Sequence, residues 1–128
     1  MNEKIQIGTV GLGLMGSSIA ACILAAGHPV TALTNNIQQK EEAVKRIGEY
    51  LLQLQEEGIL KEEPAAMLQR LYITDDYTSF SNHTIVIESI IESIDEKKKV
   101  YGQLEAVLAP DAIIGSNTSA IPVTLLLA

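Results

Sequence analysis

Residues 4–16 read Lys4-Ile5-Gln6-Ile7-Gly8-Thr9-Val10-Gly11-Leu12-Gly13-Leu14-Met15-Gly16. Lys4 to Val10 predicts a short strand, with β-branched residues at Ile5, Ile7, Thr9 and Val10. It runs straight into the three glycines, and Ser17 to Ala26, rich in Ala, Ile and Leu, predicts a helix closed by Gly27. Pro29 to Leu33 predicts a second strand. Strand, glycine turn, helix and strand within about 30 residues make a βαβ unit, whose strands are parallel and whose crossover is right-handed. In such a unit Gly11 allows the tight turn, Gly13 lets backbone approach a pyrophosphate, and Gly16 lets helix pack close on strand. The first N–H groups of the helix and its dipole then attract phosphate. Gly11, Leu12, Gly13, Leu14, Met15 and Gly16 are therefore the candidate binding turn for a dinucleotide. A glycine pattern alone also serves a plain turn; its place between strand and helix is what favours binding.

The usual companion of that turn is an acid at the end of the second strand, bonded to the adenosine ribose hydroxyls. The position falls at Thr34, followed by Asn35 and Asn36, and the first acid beyond it is Glu41. Replacing a charged hydrogen bond by neutral contacts costs about 1.5 to 3 kcal/mol. The same loss removes the charge that repels a 2′-phosphate, yet no Arg stands beside Thr34 in the sequence to bind one. NAD is the expected cofactor, with NADP left open.

Further along, Ile37, Val44, Ile47, Leu51 and Leu54 recur at helical spacing up to Gly58, and Pro64 suits the first turn of a second helix through Met67, Leu68 and Leu71, a helical hairpin. Leu71 to Thr74 and Thr84 to Glu88 predict strands three and four. A helix from Ser93 to Leu108 follows, with capping-box spacing at Ser93 and Glu96. Ala112 to Gly115 predicts a fifth strand, Ser116 to Ser119 a loop, and Ile121 to Ala128 the opening of another helix. The apolar end, Leu125-Leu126-Leu127-Ala128, points to a longer parent sequence. The fold class is α/β, a doubly wound parallel sheet.

Among 128 residues, 9 Lys and Arg oppose 16 Asp and Glu, for a net charge of −7. That balance disfavours general attraction to nucleic acid, so a phosphate ligand needs a local field. The single cysteine, Cys22, can form neither an internal disulfide nor a structural zinc site, and no metal site is expected. Its Ile and Ala neighbours predict a core position. No export signal or apolar stretch long enough to span a membrane is visible, so a cytoplasmic setting is expected.

These residues resemble the NAD-binding domain of 3-hydroxyacyl-CoA dehydrogenases. The resemblance rests on Gly11 to Gly16 with Met15, on Gly27-His28-x-Val30, on the helical hairpin, and above all on Val86-Ile87-Glu88-Ser89-Ile90-Ile91-Glu92, Lys97 and Ser116-Asn117-Thr118-Ser119. It implies a strand order 3-2-1-4-5 and NAD(H) bound across strands one and four. It implies that Glu92 and Lys97 lie beside the nicotinamide half, that Ser119 contacts the substrate oxygen near it, and that Asn117 shapes that loop. It further implies an acyl-CoA substrate, oxidised or formed by hydride transfer, and a homodimer for the full-length family.

Oxidising a 3-hydroxy group needs a base, and histidine suits neutral pH. The family's histidine lies in a His-Phe-Phe-Asn-Pro stretch that these 128 residues do not contain. His28 and His83 precede strands two and four, at the amino edge of the sheet, and read as ordinary loop or surface residues. Of Lys97-Lys98-Lys99 only Lys97 has a family role; the others read as a solvated face. The chain is expected to bind cofactor without turning over. Two rival readings are a 3-hydroxyisobutyrate-type dehydrogenase, which is not expected to carry the hairpin, and a non-catalytic nucleotide-binding module.

Overall fold

The computed structural model describes residues 6–60, 62–89 and 94–116. The glycine turn joins β1 (Ile7–Val10) to α1 (Leu14–Ala25), which returns to β2 (Val30–Leu33). A 3₁₀ turn at Ile37–Gln39 leads into α2 (Lys40–Glu56), then α3 (Pro64–Leu68) and β3 (Leu71–Thr74). A second 3₁₀ turn, Tyr77–Phe80, precedes β4 (Ile85–Glu88), α4 (Ile94–Val107) and β5 (Ile113–Ser116). All neighbouring strands are parallel, in the order β3-β2-β1-β4-β5, as expected. Their register puts Thr74, Leu33, Val10, Glu88 and Ser116 in one row, so the carboxyl edge is level across the sheet. The chain runs outward from β1 to β2 and β3 and then crosses back to place β4 on the other side of β1, which makes this edge at β1 and β4 the switch point where open α/β sheets bind ligands.

Strand alternation divides the core in two. Val30 and Ala32 of β2 join Ala20, Leu24, Ile47, Leu51 and Met67 under α1, α2 and α3, whereas Leu33 joins Val10, Val86, Phe80 and Leu104 on the α4 side. Each fully buried Leu, Ile or Phe contributes about 1.5 to 3 kcal/mol relative to exposure. α2 ends at Glu56, and two residues on the chain turns at Gly58, whose φ of +74° is a conformation that suits glycine.

The structure corrects several expectations. α1 starts three residues earlier than predicted, at Leu14, inside the glycine motif. The second helix of the expected hairpin is a single turn, because Leu71 must be extended to pair with Val30, and the amide of Val30 already takes the Arg70 carbonyl at 3.0 Å. The Tyr77–Phe80 turn was not foreseen; Asp76 Oδ1 caps it, accepting from the Thr78 amide at 3.0 Å and the Thr78 hydroxyl at 2.8 Å, bonds that hold the Asp76 carboxyl below its usual range. Cys22 is exposed, not core. α1 is apolar all round, so its sequence carries little signal of which face turns inward, and packing selects Ser17, Ala20, Ala21 and Leu24. The predicted helix from Ile121 and the capping Ser93 lie outside the described residues.

His83 is also not a surface residue. It is buried in the loop before β4, with Nε2 at 2.9 Å from Thr31 Oγ1, Nδ1 at 3.2 Å from Asn82 Oδ1, and its ring edge-on to Phe80. Burial lowers its pKa below the ordinary 6.5. The unfolded chain therefore takes up the proton first, and the stability conferred by neutral His83 is present above pH 6.5 and lost as pH falls through the lowered folded value. We expect the melting temperature to fall as the protein is acidified below that point, and His83→Gln to flatten this dependence. An unchanged slope in the variant would remove His83 from the explanation.

Candidate functional site

The turn after β1 is held by the backbone as much as by its glycines. Gly11 has φ +103°, and its amide bonds the Leu33 carbonyl at 2.9 Å, tying the turn to β2. The Leu12 carbonyl accepts from Ser17 Oγ at 3.1 Å and from Arg46 Nη1 at 2.8 Å. A Cβ at Gly16 would stand 2.2 Å from the Gly11 carbonyl oxygen, so only glycine permits this approach of α1 to the turn. A Cβ at Gly13 would meet no atom within 4 Å. Gly13 is the N-cap of α1, yet no side chain caps the helix there. Open space at Gly13 and an uncapped first turn are what a pyrophosphate requires, so the residues present fit the expected dinucleotide.

A cleft of about 610 Å³ lies over this turn. Val10, Gly11 and Gly13 form its floor, Thr34 and Asn35 border it after β2, Asp75 and Tyr77 after β3, and Ser89 after β4. From α4 come Glu96, Lys99 and Val100. Ser89 is tied to β1 by its amide, 2.8 Å from the Val10 carbonyl, and Thr34 to β3 by its amide, 2.9 Å from the Thr74 carbonyl. The Thr34 hydroxyl accepts from the Asn36 amide at 3.1 Å. Burial, helped by the negative charge of Glu96, raises the Tyr77 pKa, so a neutral phenol faces the cleft. Lys99 and Glu96 form an exposed pair at 3.7 Å, worth little by itself.

Lys97 occupies a different place from its neighbours in the Lys97-Lys98-Lys99 run. It is fully buried, with Nζ 2.9 Å from Glu88 Oε2, and Tyr101 one turn on along α4 donates its hydroxyl to Glu88 Oε1 at 3.4 Å. Glu88 is itself buried at the end of β4, directly before cleft-lining Ser89. Lys97 thus joins α4 to the strand beneath the cleft and does not line the cleft itself. Gly11, Leu12, Gly13 and Thr34 border the cleft; Gly16 is buried and Met15 exposed. Glu92, Asn117 and Ser119 lie outside the described residues. Neither His28 nor His83 borders the cleft.

Asp75, Tyr77, Ser89 and Glu96 are not named as site residues from the sequence, and Lys99 reads there as part of a solvated face. The first three follow strand ends, so the rule that ligands bind at the carboxyl edge could have nominated them. One further expectation is corrected. Arg46, twelve positions beyond Thr34, does share a recess with it, because α2 runs back across the glycine turn and places the guanidinium on Leu12.

The family model for the NAD-binding domain of 3-hydroxyacyl-CoA dehydrogenase matches residues 6–128. A Deinococcus radiodurans protein named "Probable 3-hydroxybutyryl-CoA dehydrogenase" is 33% identical over 126 residues, covering 95% of this chain and 44% of its own length. Among solved structures, Mycobacterium tuberculosis FadB2 superposes with a TM-score of 0.87 at 33% identity, covering 97% of this chain and 45% of that one. The (S)-3-hydroxybutyryl-CoA dehydrogenase PaaH1 of Ralstonia eutropha gives 0.86 at 30% identity, covering 97% and 44%. The chain spans less than half the length of these relatives. A five-stranded parallel sheet in this order, a glycine turn at its switch point and a match through residue 128 place the chain in one family: it belongs to the NAD-binding domains of 3-hydroxyacyl-CoA dehydrogenases.

Proposed function

We propose that this chain is the cofactor-holding part of an enzyme that interconverts (S)-3-hydroxyacyl-CoA and 3-oxoacyl-CoA. The observation that carries the reading is the cleft over an uncapped helix start, floored by Gly11 and Gly13 at the carboxyl edge of β1 and β4. NAD, when bound, supplies the hydride acceptor for the alcohol carbon. The α1 amides hold the pyrophosphate, Thr34 faces the adenosine ribose, and Ser89 borders the nicotinamide half. Lys97 is paired with Glu88 at the end of β4, directly before Ser89, so its part is to hold that strand end beneath the nicotinamide half and not to touch the cofactor. The family resemblance adds Glu92 as a contact of the nicotinamide half and Ser119 as a contact of the substrate oxygen, with Asn117 shaping the loop that carries Ser119. Neither histidine borders the cleft, and the 128-residue chain is expected to bind cofactor without oxidising a 3-hydroxyacyl-CoA.

The test is a titration of NADH followed by its own emission, which is little contaminated because the chain has no tryptophan. Saturable binding, accompanied by a higher melting temperature as NADH is added, is the expected result. A folded chain that leaves NADH emission and its own melting temperature unchanged would overturn the reading.

A further inference from the structure

We propose that the recess beside Thr34 is a binding site for the 2′-phosphate of NADP(H), so that this chain accepts NADP(H) as well as NAD(H). The proposal rests on the cofactor reading above and adds to it the chemistry of the adenosine end.

The recess, about 200 Å³, shares Leu12, Gly13, Thr34 and Asn35 with the main cleft and opens from it. Its other walls come from the start of α2 and include Gln39, Lys40 and Arg46. A dinucleotide whose pyrophosphate sits on Gly13 must place its adenosine ribose at the end of β2, next to this recess. A carboxylate at that position would bond the ribose hydroxyls and repel a 2′-phosphate, but Thr34, Asn35 and Asn36 are all neutral. In its place the recess presents an ammonium and a guanidinium, with Glu42 as the one carboxylate on its walls. Asp75 stands on the main cleft and not on the recess.

Arg46 is also held in place. Its bond to the Leu12 carbonyl, 2.8 Å, uses one of five N–H donors and fixes the fork beside Gly13. A guanidinium so oriented suits a phosphate's bidentate geometry, and Lys40 adds a second, more mobile charge. In a chain with a net charge of −7, two of only 9 cationic residues line the recess next to which the adenosine ribose would lie.

The experiment is a parallel titration of the 128-residue chain with NADPH and NADH, repeated for Arg46→Ala, Lys40→Ala and Thr34→Asp. The quantity read is the ratio of the two dissociation constants, since Arg46 also supports the turn and its loss weakens both cofactors. For the unaltered chain we expect NADPH to bind within about ten-fold of NADH, because a single charge-assisted contact is worth roughly that factor. Arg46→Ala and Lys40→Ala should each shift the ratio against NADPH, Arg46→Ala by about ten-fold or more, and Thr34→Asp should shift it the same way by repulsion. NADH bound with NADPH more than about ten-fold weaker would overturn the 2′-phosphate site and leave the cofactor reading standing. Equal loss of both cofactors in Arg46→Ala, with no change of ratio in Lys40→Ala, would also overturn it. If neither nicotinamide binds a folded chain, the cofactor reading fails and the recess proposal with it.

Discussion

Gly13→Ala is expected to abolish saturable NADH binding while leaving the fold in place, whereas Gly16→Ala is expected to damage both. The two glycines are three residues apart, and the structure gives them opposite surroundings. A methyl group at Gly13 would meet no protein atom within 4 Å, and the φ of −69° there is open to any residue. Its structural cost is that of a poorer N-cap, about 1 kcal/mol or less. The space it would enter is the floor of the cleft, where bound pyrophosphate needs close contact with backbone. At Gly16 the methyl would sit 2.2 Å from the Gly11 carbonyl oxygen, closer than the 3.0 Å that real Cβ atoms keep. The obstacle is backbone at a turn already fixed by the Gly11 bond to Leu33, so α1 itself must shift. Overpacking of this kind costs about 1 to 3 kcal/mol, occasionally more. Chemical denaturation and the NADH titration, run on both variants, separate the two roles. Full NADH affinity in Gly13→Ala would show that the cofactor does not approach this backbone.

Lys97→Ala is the second large effect, a loss of about 3 to 5 kcal/mol of stability. The Lys97 and Glu88 side chains are essentially inaccessible, and their contact at 2.9 Å crosses from α4 to β4. Removing the ammonium leaves a carboxylate in the interior without its counter-charge, and the Tyr101 hydroxyl at 3.4 Å is a weak substitute. Glu88→Gln should cost less, because the amide oxygen still accepts from Lys97. The double change Lys97→Met with Glu88→Leu should recover most of the loss, since apolar groups of similar volume often replace a buried pair without penalty. Urea unfolding of the singles and the double gives the coupling directly. Single losses below about 1 kcal/mol would mean that water reaches the pair and that it behaves as a surface bridge. NADH affinity measured on the double variant tests whether the pair serves the cofactor as well as the fold.

Much of this protein was legible in the order of its residues because the information is local. The glycine turn between β1 and α1, the turn at Gly58 and the short apolar strands express backbone torsions and hydrogen bonds that span a few positions. Strand order then follows from the handedness of crossovers and from the family's pattern. Boundaries were less legible: Leu71 reads as the end of a helix until Val30 is there to pair with it.

What the sequence by itself determined is the βαβ frame, the glycine turn between β1 and α1, and the neutral Thr34 where an acid is usual. Tertiary structure alone decided which side of α1 is covered, leaving Cys22 exposed, and that His83 is enclosed against Thr31 and Phe80. It also decided that Lys97, the first of three consecutive lysines, is buried on Glu88, and that Arg46 returns to the turn it follows by thirty-four residues. The physical reason is common to all four. Torsional preference and amphipathic period act between near neighbours, but the depth of a side chain and the charge beside it depend on how one element packs on another. That packing is settled only when the sheet and its helices close on a shared core.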